Sequence, residues 1–250
     1  MIEQTLKGRC ERDNVSKITL SKSHLAWAVF ASQSSRLKEP AFKAEALQFS
    51  RLMMRGARAL VLELIDELAS SGYLFEGAES PHVEAEAGAQ EYLAELWERG
   101  IFVPLSVQAW MIEVGCVNLC GSHPNWPKAT YAKEGTSTHD VVYTDPFVVE
   151  VTPEYISYLI DERDSAPELA AEPFLLDVAP DHLHKANISG GTPYAVDASF
   201  PQVEPLLLYE RHCTSFTDYV RRSIAWSGFP GMDYVEPNLL PILRKPYPQI

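Results

Sequence analysis

The longest regular pattern in this chain lies between Pro40 and Gly72. Apolar residues recur there at spacings of three, four and seven, which is the period of a helix that buries one face. They are Phe42, Ala46, Phe49, Met53, Leu60, Leu64 and Leu68. Proline is favoured in the first turn of a helix, and glycine is favoured just after its last turn. The pattern predicts one long helix, or two in succession, over residues 41–70.

Two shorter helices are predicted after the long one. Residues 83–99 form an acidic amphipathic pattern that Gly100 closes. Its apolar residues are Tyr92, Leu93, Leu96 and Trp97. A second short helix follows Pro104 and ends at Gly115, because glycine gives the backbone the freedom to leave a helix. The first half of the chain is therefore expected to be largely helical.

Strand-like runs rich in β-branched and aromatic residues are concentrated in the second half of the chain. They cover residues 141–143, 147–151, 174–178, 193–196 and 206–209. A last helix is predicted over residues 215–225. Helices first, strands later and a closing helix are typical of the α+β class.

The composition is that of a globular protein, with 46% hydrophobic and 22% charged residues. No segment approaches the roughly 20 apolar residues that a membrane span needs. Charged residues interrupt the first 20 positions, which is unlike a secretory signal peptide. We therefore expect a water-soluble, cytoplasmic protein whose four cysteines are free thiols.

Acidic residues are concentrated in the middle of the chain. Residues 1–72 contain 11 basic and 8 acidic residues, residues 73–180 contain 4 and 19, and residues 181–250 contain 6 and 7. The net charge of the middle part is thus −15, within a total of −13. A field of this sign repels nucleic acid phosphates and attracts a basic protein. Alternatively, these acidic residues serve only to keep the protein soluble.

Four segments, taken in order, resemble the SUKH superfamily, the Smi/Knr-type fold of many bacterial immunity proteins. The segments are residues 103–118 with Pro104 and Gly115, residues 121–126 with 145–149, residues 182–194 with Ser189, Gly190 and Gly191, and residues 215–231 with Trp226, Gly228, Phe229 and Pro230. The last two also resemble a group of uncharacterised bacterial proteins that share a His-Lys-Ala-Asn-x-Ser-Gly-Gly run and a Gly-Phe-Pro-Gly ending. Cys116 stands where the superfamily often has a second glycine, so the first turn is expected to differ.

The resemblance implies a fold and a kind of function. The fold would be a mixed, mostly antiparallel sheet flanked by helices over residues 79–250, with residues 1–78 as an N-terminal helical extension. The members of the superfamily that are understood mostly bind toxins, often nucleases, and neutralise them. The resemblance therefore implies a bacterial immunity protein of a toxin–antitoxin system that binds a cognate toxin, and it names no partner.

The residues themselves suggest where such a toxin would bind. Aromatic anchors ringed by polar groups are typical of protein interfaces, and acids would steer and pair with a basic partner. The candidate anchors are Trp126, Tyr131 and Tyr143, and the candidate acids are Glu134, Asp140, Asp145, Asp161, Glu162 and Asp164. Alternatively, Trp126 packs on the core and the acids are only solvated.

A structural or regulatory scaffold is the first alternative function. In that case the apolar stripe of residues 41–70 would pack against a second copy of the chain or against a host protein. Self-association that depends on this helix would distinguish the scaffold from an immunity protein.

A metal-dependent hydrolase is the second alternative. His182, His184, His212 and Cys213 could together supply four zinc ligands. The sequence has no paired Cys-x-x-Cys motifs, and Ser189 lacks the Gly-x-Ser-x-Gly context of an activated serine. The Gly190-Gly191 turn precedes a strand signal, whereas a phosphate-binding loop needs a helix there. The sequence therefore favours a protein without an enzymatic activity, a metal or a cofactor.

Overall fold

The computed structural model describes residues 22–76, 80–124, 144–166, 168 and 171–234. The α-helices in these ranges are α1 (Lys22–Ala31), α2 (Pro40–Ser71), α3 (Ala89–Glu98), α4 (Leu105–Glu113), α5 (Pro153–Asp164) and α6 (Phe216–Ala225). Short 3-10 helices cover Ser34–Lys38, His184–Ala186 and Pro230–Tyr234. No helix in these ranges is both long and apolar enough to cross a membrane.

The strands form three small sheets, and every strand pair in the described ranges is antiparallel. The strands are β1 (Leu74–Phe75), β2 (His82–Val83), β3 (Cys116–Asn118), β4 (Gly121–Ser122), β5 (Val148–Val149), β6 (Leu175–Ala179) and β7 (Tyr194–Asp197). The strand orders are β1-β4, β2-β3-β5 and β6-β7. Small antiparallel sheets flanked by helices confirm the predicted α+β class.

Helix α2 is a single helix of 32 residues, which decides between the one or two helices that the sequence allowed. Its C-terminal half contributes Val61, Leu64 and Leu68 to the same core as the sheets and helices α4 and α6. Its N-terminal half packs with Trp27, Leu105 and neighbouring apolar residues in a second cluster. Residues on both sides of position 78 therefore contribute to each of the two clusters.

The predicted apolar stripe of α2 lies against other parts of the same chain. Phe42, Ala46, Met53, Leu64 and Leu68 are all buried. The other two residues of the stripe, Phe49 and Leu60, are half-buried. Most of the predicted stripe therefore packs within the chain, and self-association through α2 stays an alternative prediction.

Some predicted boundaries differ from the observed ones. The acidic helix begins at Ala89 rather than near residue 83, because His82 and Val83 pair with β3 and Gly88 adopts a left-handed conformation just before the helix. The expected strand at 206–209 is reduced to isolated bridges that join Leu208 to Ala195 and Leu206 to Ser215. The expected strand at 141–143 lies outside the described residues.

The motif residues that suggested the SUKH resemblance mark places where the backbone turns. Pro104 precedes the first residue of α4, and Gly115 leaves that helix with φ of +92°. Gly228 turns the chain after α6 with φ of +90° and packs against Leu119. The neighbouring Phe229 and Pro230 are buried, and Trp226 is half-buried. These residues shape the fold around the core.

Candidate functional site

Asp145, one of the residues predicted to bind a partner, belongs to a buried cluster of polar side chains. The Lys185 ammonium lies 2.7 Å from Asp145 Oδ1 and donates to the Tyr219 hydroxyl at 3.1 Å. The Tyr194 hydroxyl donates to Asp145 Oδ2 at 2.9 Å. The Tyr219 hydroxyl in turn donates to the carbonyl of Val148 in β5. The cluster thus joins β5, β7 and α6 to the turn that contains Lys185.

Burial and charge act against each other in this cluster. Burial by itself would lower the pKa of Lys185, but the negative charge of Asp145 and the hydrogen bonds outweigh it, so the pKa is raised above its usual value. Burial raises the pKa of Tyr219 to about 12, against the opposing charge of Lys185. Lys185 is therefore a fixed cation whose charge compensates Asp145 inside the protein.

The expectation that Asp145 contacts a partner is wrong. Its side chain has no exposed surface, and both carboxylate oxygens accept hydrogen bonds within the chain. A carboxylate buried beside a lysine cannot form the outer part of an interface. Its φ of +52° places it in the left-handed region, which Asp tolerates better than most residues. Asp145 is instead an anchor of the fold.

The Ser-Gly-Gly turn follows Lys185 in the chain and packs against Asp181. Asp181 is buried and accepts hydrogen bonds from the backbone amide of Leu183 and from Nδ1 of His184. Gly191 lies so close to the Asp181 carboxylate that a side chain there would collide with it. The exposed Ser189 and the two glycines then lead into β7, as the strand signal after this turn predicted.

The proposed catalytic and metal-binding residues are held in local contacts. His184 is paired with Asp181, while Nδ1 of His212 lies 2.5 Å from Oε1 of the buried Glu210. In the part of the chain that the structure describes, no three His, Cys, Asp or Glu side chains lie close enough together to hold a metal ion. A cleft between β2, β3 and the start of α5 has a volume of about 30 Å³, room for about one water molecule.

One buried thiol, Cys120, and one half-buried thiol, Cys116, are expected to make the stability of the protein sensitive to alkaline pH. Burial raises the pKa of Cys116 to about 11 and that of Cys120 to about 12. A thiol in an unfolded chain has a pKa near about 8.5, so unfolding releases protons above that pH. The two thiols contribute their full share to the free energy of unfolding below about pH 8.5. This contribution is lost as the pH rises from there towards the pKa values of the thiols in the folded protein.

The free energy of unfolding is therefore expected to fall between pH 8 and pH 10 in urea titrations, by about a few tenths to 2 kcal/mol. A Cys116→Ala/Cys120→Ala variant should show a smaller fall over the same interval, since it lacks both thiols. An equal pH dependence in the two proteins would show that the thiols are not its source.

Five of the residues predicted to bind a partner lie outside the described residues. They are Trp126, Tyr131, Glu134, Asp140 and Tyr143. The other three, Asp161, Glu162 and Asp164, are exposed near the C-terminal end of α5. Their position on the surface agrees with either a binding or a solvating role.

Two acidic helices, α3 and α5, are joined by a hydrogen bond. The Tyr92 hydroxyl on α3 lies 2.7 Å from the Ser157 hydroxyl on α5. Helix α3 contains three glutamates and no basic residue, while α5 contains four acids and only Arg163 as a basic residue. Asp161 lies one turn after Ser157, and Glu95 lies one turn after Tyr92. The two carboxylates therefore lie near the hydrogen bond that joins the helices. We call this surface, Glu91, Glu95, Glu98, Glu154, Asp161, Glu162 and Asp164, the acidic face.

Two tyrosines lie beside the acidic face. The rings of Tyr155 and Tyr158 are nearly parallel, with centroids 6.3 Å apart and an angle of 18° between their planes. Tyr158 is 54% exposed. Its hydroxyl donates to Glu162 at 2.6 Å, and the Tyr155 hydroxyl donates to Asp177 on β6 at 3.2 Å. An exposed aromatic ring among carboxylates has the character of an interface anchor.

Neither tyrosine was among the residues predicted to bind a partner, because no helix was predicted at α5. The signal was nevertheless present, since Thr152 followed by Pro153 is a typical start of a helix. Thr152 caps the helix by accepting a hydrogen bond from the amide of Tyr155. A helix beginning there places Tyr155 and Tyr158 on one side.

No protein-family model matches this chain, and neither a curated protein nor a solved structure matches it significantly. The resemblance to the SUKH superfamily therefore stays a prediction from the sequence.

Proposed function

We propose that this protein is a cytoplasmic immunity protein that binds a basic toxin and neutralises it without catalysing a reaction. The observation that supports this proposal most directly is the acidic face, in which the hydrogen-bonded helices α3 and α5 present seven acidic residues and one basic residue. None of Glu91, Glu95, Glu154, Asp161 and Asp164 forms an ion pair with another described residue. These charges are free to pair with a partner.

Electrostatics indicate how such a surface would act. A concentration of one charge sign speeds the encounter with an oppositely charged protein and selects against acidic partners. If the toxin is a nuclease, its active site is basic because it must hold phosphates. Carboxylates on rigid helices would then occupy the position of phosphates and cover that site.

Charge reversal on the acidic face tests this proposal. In a pull-down from the native host, the wild-type protein should retain a basic protein at low salt and release most of it at high salt. A Glu95→Lys/Asp161→Lys variant should retain at least about tenfold less, since it changes two charges at the centre of the face. Expression of the retained protein should arrest growth, and co-expression of the wild-type chain should restore it.

A matched control is available on α2. Glu45 and Asp66 are exposed there, and a Glu45→Lys/Asp66→Lys variant changes the net charge by the same amount. This control should retain the partner and restore growth as the wild type does. The proposal fails if both variants retain the partner equally, or if the retained protein has no effect on growth.

A further inference from the structure

The exposed ring of Tyr158 is flanked by carboxylates along α5. Glu154 lies one turn before it and Glu162 one turn after it, so all three side chains share one face of the helix. One carboxylate oxygen of Glu162 accepts a hydrogen bond from the Tyr158 hydroxyl. The second oxygen can accept a hydrogen bond from another donor. The ring, together with these acids, presents a flat π surface with negative charge at both ends.

Asp177 adds a carboxylate at the side of this aromatic pair. It is half-buried on β6, and its described hydrogen-bond partner is the Tyr155 hydroxyl, a neutral group. Burial raises the pKa of Asp177, and no positive charge contributes to that shift. The ionised form of a half-buried carboxylate that has only a neutral partner is stabilised by a cation next to it. This feature is independent of the exposed acids and also points to a cationic ligand.

The same molecule already contains the kind of contact that this surface would make. The guanidinium of Arg163, at the end of α5, lies over the ring of Phe174 at 5.5 Å from its centroid. Arg36 lies over Phe42 at 4.5 Å. Those rings are occupied from within the chain, whereas more than half of Tyr158 is accessible to solvent.

We propose that the Tyr155–Tyr158 pair, with Glu162 and Asp177, binds an arginine side chain of the protein partner. The guanidinium would stack on the exposed face of Tyr158 and donate to the flanking carboxylates. This inference rests on the proposed function and specifies which side chain of the basic partner the surface recognises.

Arginine fits this surface better than lysine for two physical reasons. Its guanidinium is planar and weakly hydrated, so it stacks on an aromatic ring at a small desolvation cost. Its N–H groups lie in one plane and point outwards, so a stacked guanidinium still donates to carboxylates at the edge of the ring. A lysine ammonium is a compact, strongly hydrated charge that obtains mainly the Coulomb attraction.

Labelled hexa-arginine and hexa-lysine peptides, which carry the same side-chain charge, test this inference by fluorescence anisotropy with the full chain at low salt. The wild type should bind hexa-arginine about fivefold more tightly than hexa-lysine. Tyr158→Leu should bring that ratio close to one, while Tyr158→Phe should keep it because the ring remains. Tyr209→Leu is the matched control, since Tyr209 is 49% exposed on another part of the chain, and it should leave the ratio unchanged.

The outcomes separate this inference from the proposed function. A ratio near one in the wild type overturns the arginine inference, as does a ratio that survives Tyr158→Leu. If both peptides then bind equally and Glu95→Lys/Asp161→Lys weakens both, the acidic face still binds cations and the proposed function stands. Failure of both peptides to bind overturns the inference and removes the support that the acidic face gives to the proposed function. Unchanged urea midpoints in the Tyr158 variants would show that their effects are not due to unfolding.

Discussion

A Lys185→Met variant is expected to lose about 3–5 kcal/mol of unfolding free energy, measured by urea titration at neutral pH. The substitution removes a fully buried ammonium and leaves the Asp145 carboxylate buried without a counter-charge. It also takes a hydrogen-bond donor away from Tyr219. Methionine has nearly the volume of the lysine side chain, so the loss would come from electrostatics rather than from a cavity.

The double variant Lys185→Met/Asp145→Asn separates the two contributions. It removes both charges, and asparagine tolerates the positive φ of residue 145. Its stability should lie clearly above that of Lys185→Met, since no unpaired buried charge is left. If the double variant is as unstable as the single one, the cluster stabilises the protein by its hydrogen bonds and not by its ion pair.

A Gly115→Ala variant is expected to lose about 3–5 kcal/mol, or to fail to fold at 37 °C. Gly115 has a φ of +92°, and a Cβ there would collide with the backbone of β2 at Val83 O and lie 2.6 Å from Ala85 N. A neighbouring backbone cannot move aside as a flexible side chain can. The strand pairing between β2 and β3 would therefore have to separate.

Gly100 provides the matched control for this prediction. It also follows a helix, with a φ of +80°, but no atom lies within 4 Å of the place where its Cβ would be. Gly100→Ala should therefore cost only the strain of the left-handed backbone, about 1–2 kcal/mol. Equal losses in the two variants would show that backbone conformation, and not the approach of β2, makes glycine necessary at position 115.

Much of the local structure could be predicted from the sequence. The three-and-four spacing of apolar residues indicated α2, with Pro40 in its first turn and Gly72 in the left-handed position that ends it. Pro104 and Gly115 indicated the limits of α4. These signals work because helix periodicity and helix ends depend on neighbouring residues, so no knowledge of distant contacts is needed.

The candidate site could be predicted only in part. The sequence identified an acidic middle segment and included Asp161, Glu162 and Asp164, which the structure places on the surface. It did not identify Tyr155, Tyr158 or Asp177. Their contact depends on β6 packing beside α5, and that packing joins residues 22 positions apart. Periodicity within one segment carries no information about such a contact.

What the sequence alone determined is the α+β character, the long helix and the concentration of acids, because each follows from local pattern or from composition. Only the tertiary structure decided which acids face the solvent. Asp145 and Asp161 are the same residue type in the same acidic segment, yet one is buried and the other is exposed. The difference arises because Asp145 is paired with Lys185, 40 residues further along the chain, whereas Asp161 is exposed on the surface. A charged side chain can be buried only where an opposite charge or hydrogen-bonding groups lie next to it. Here the tertiary fold brings that partner from a distant part of the chain.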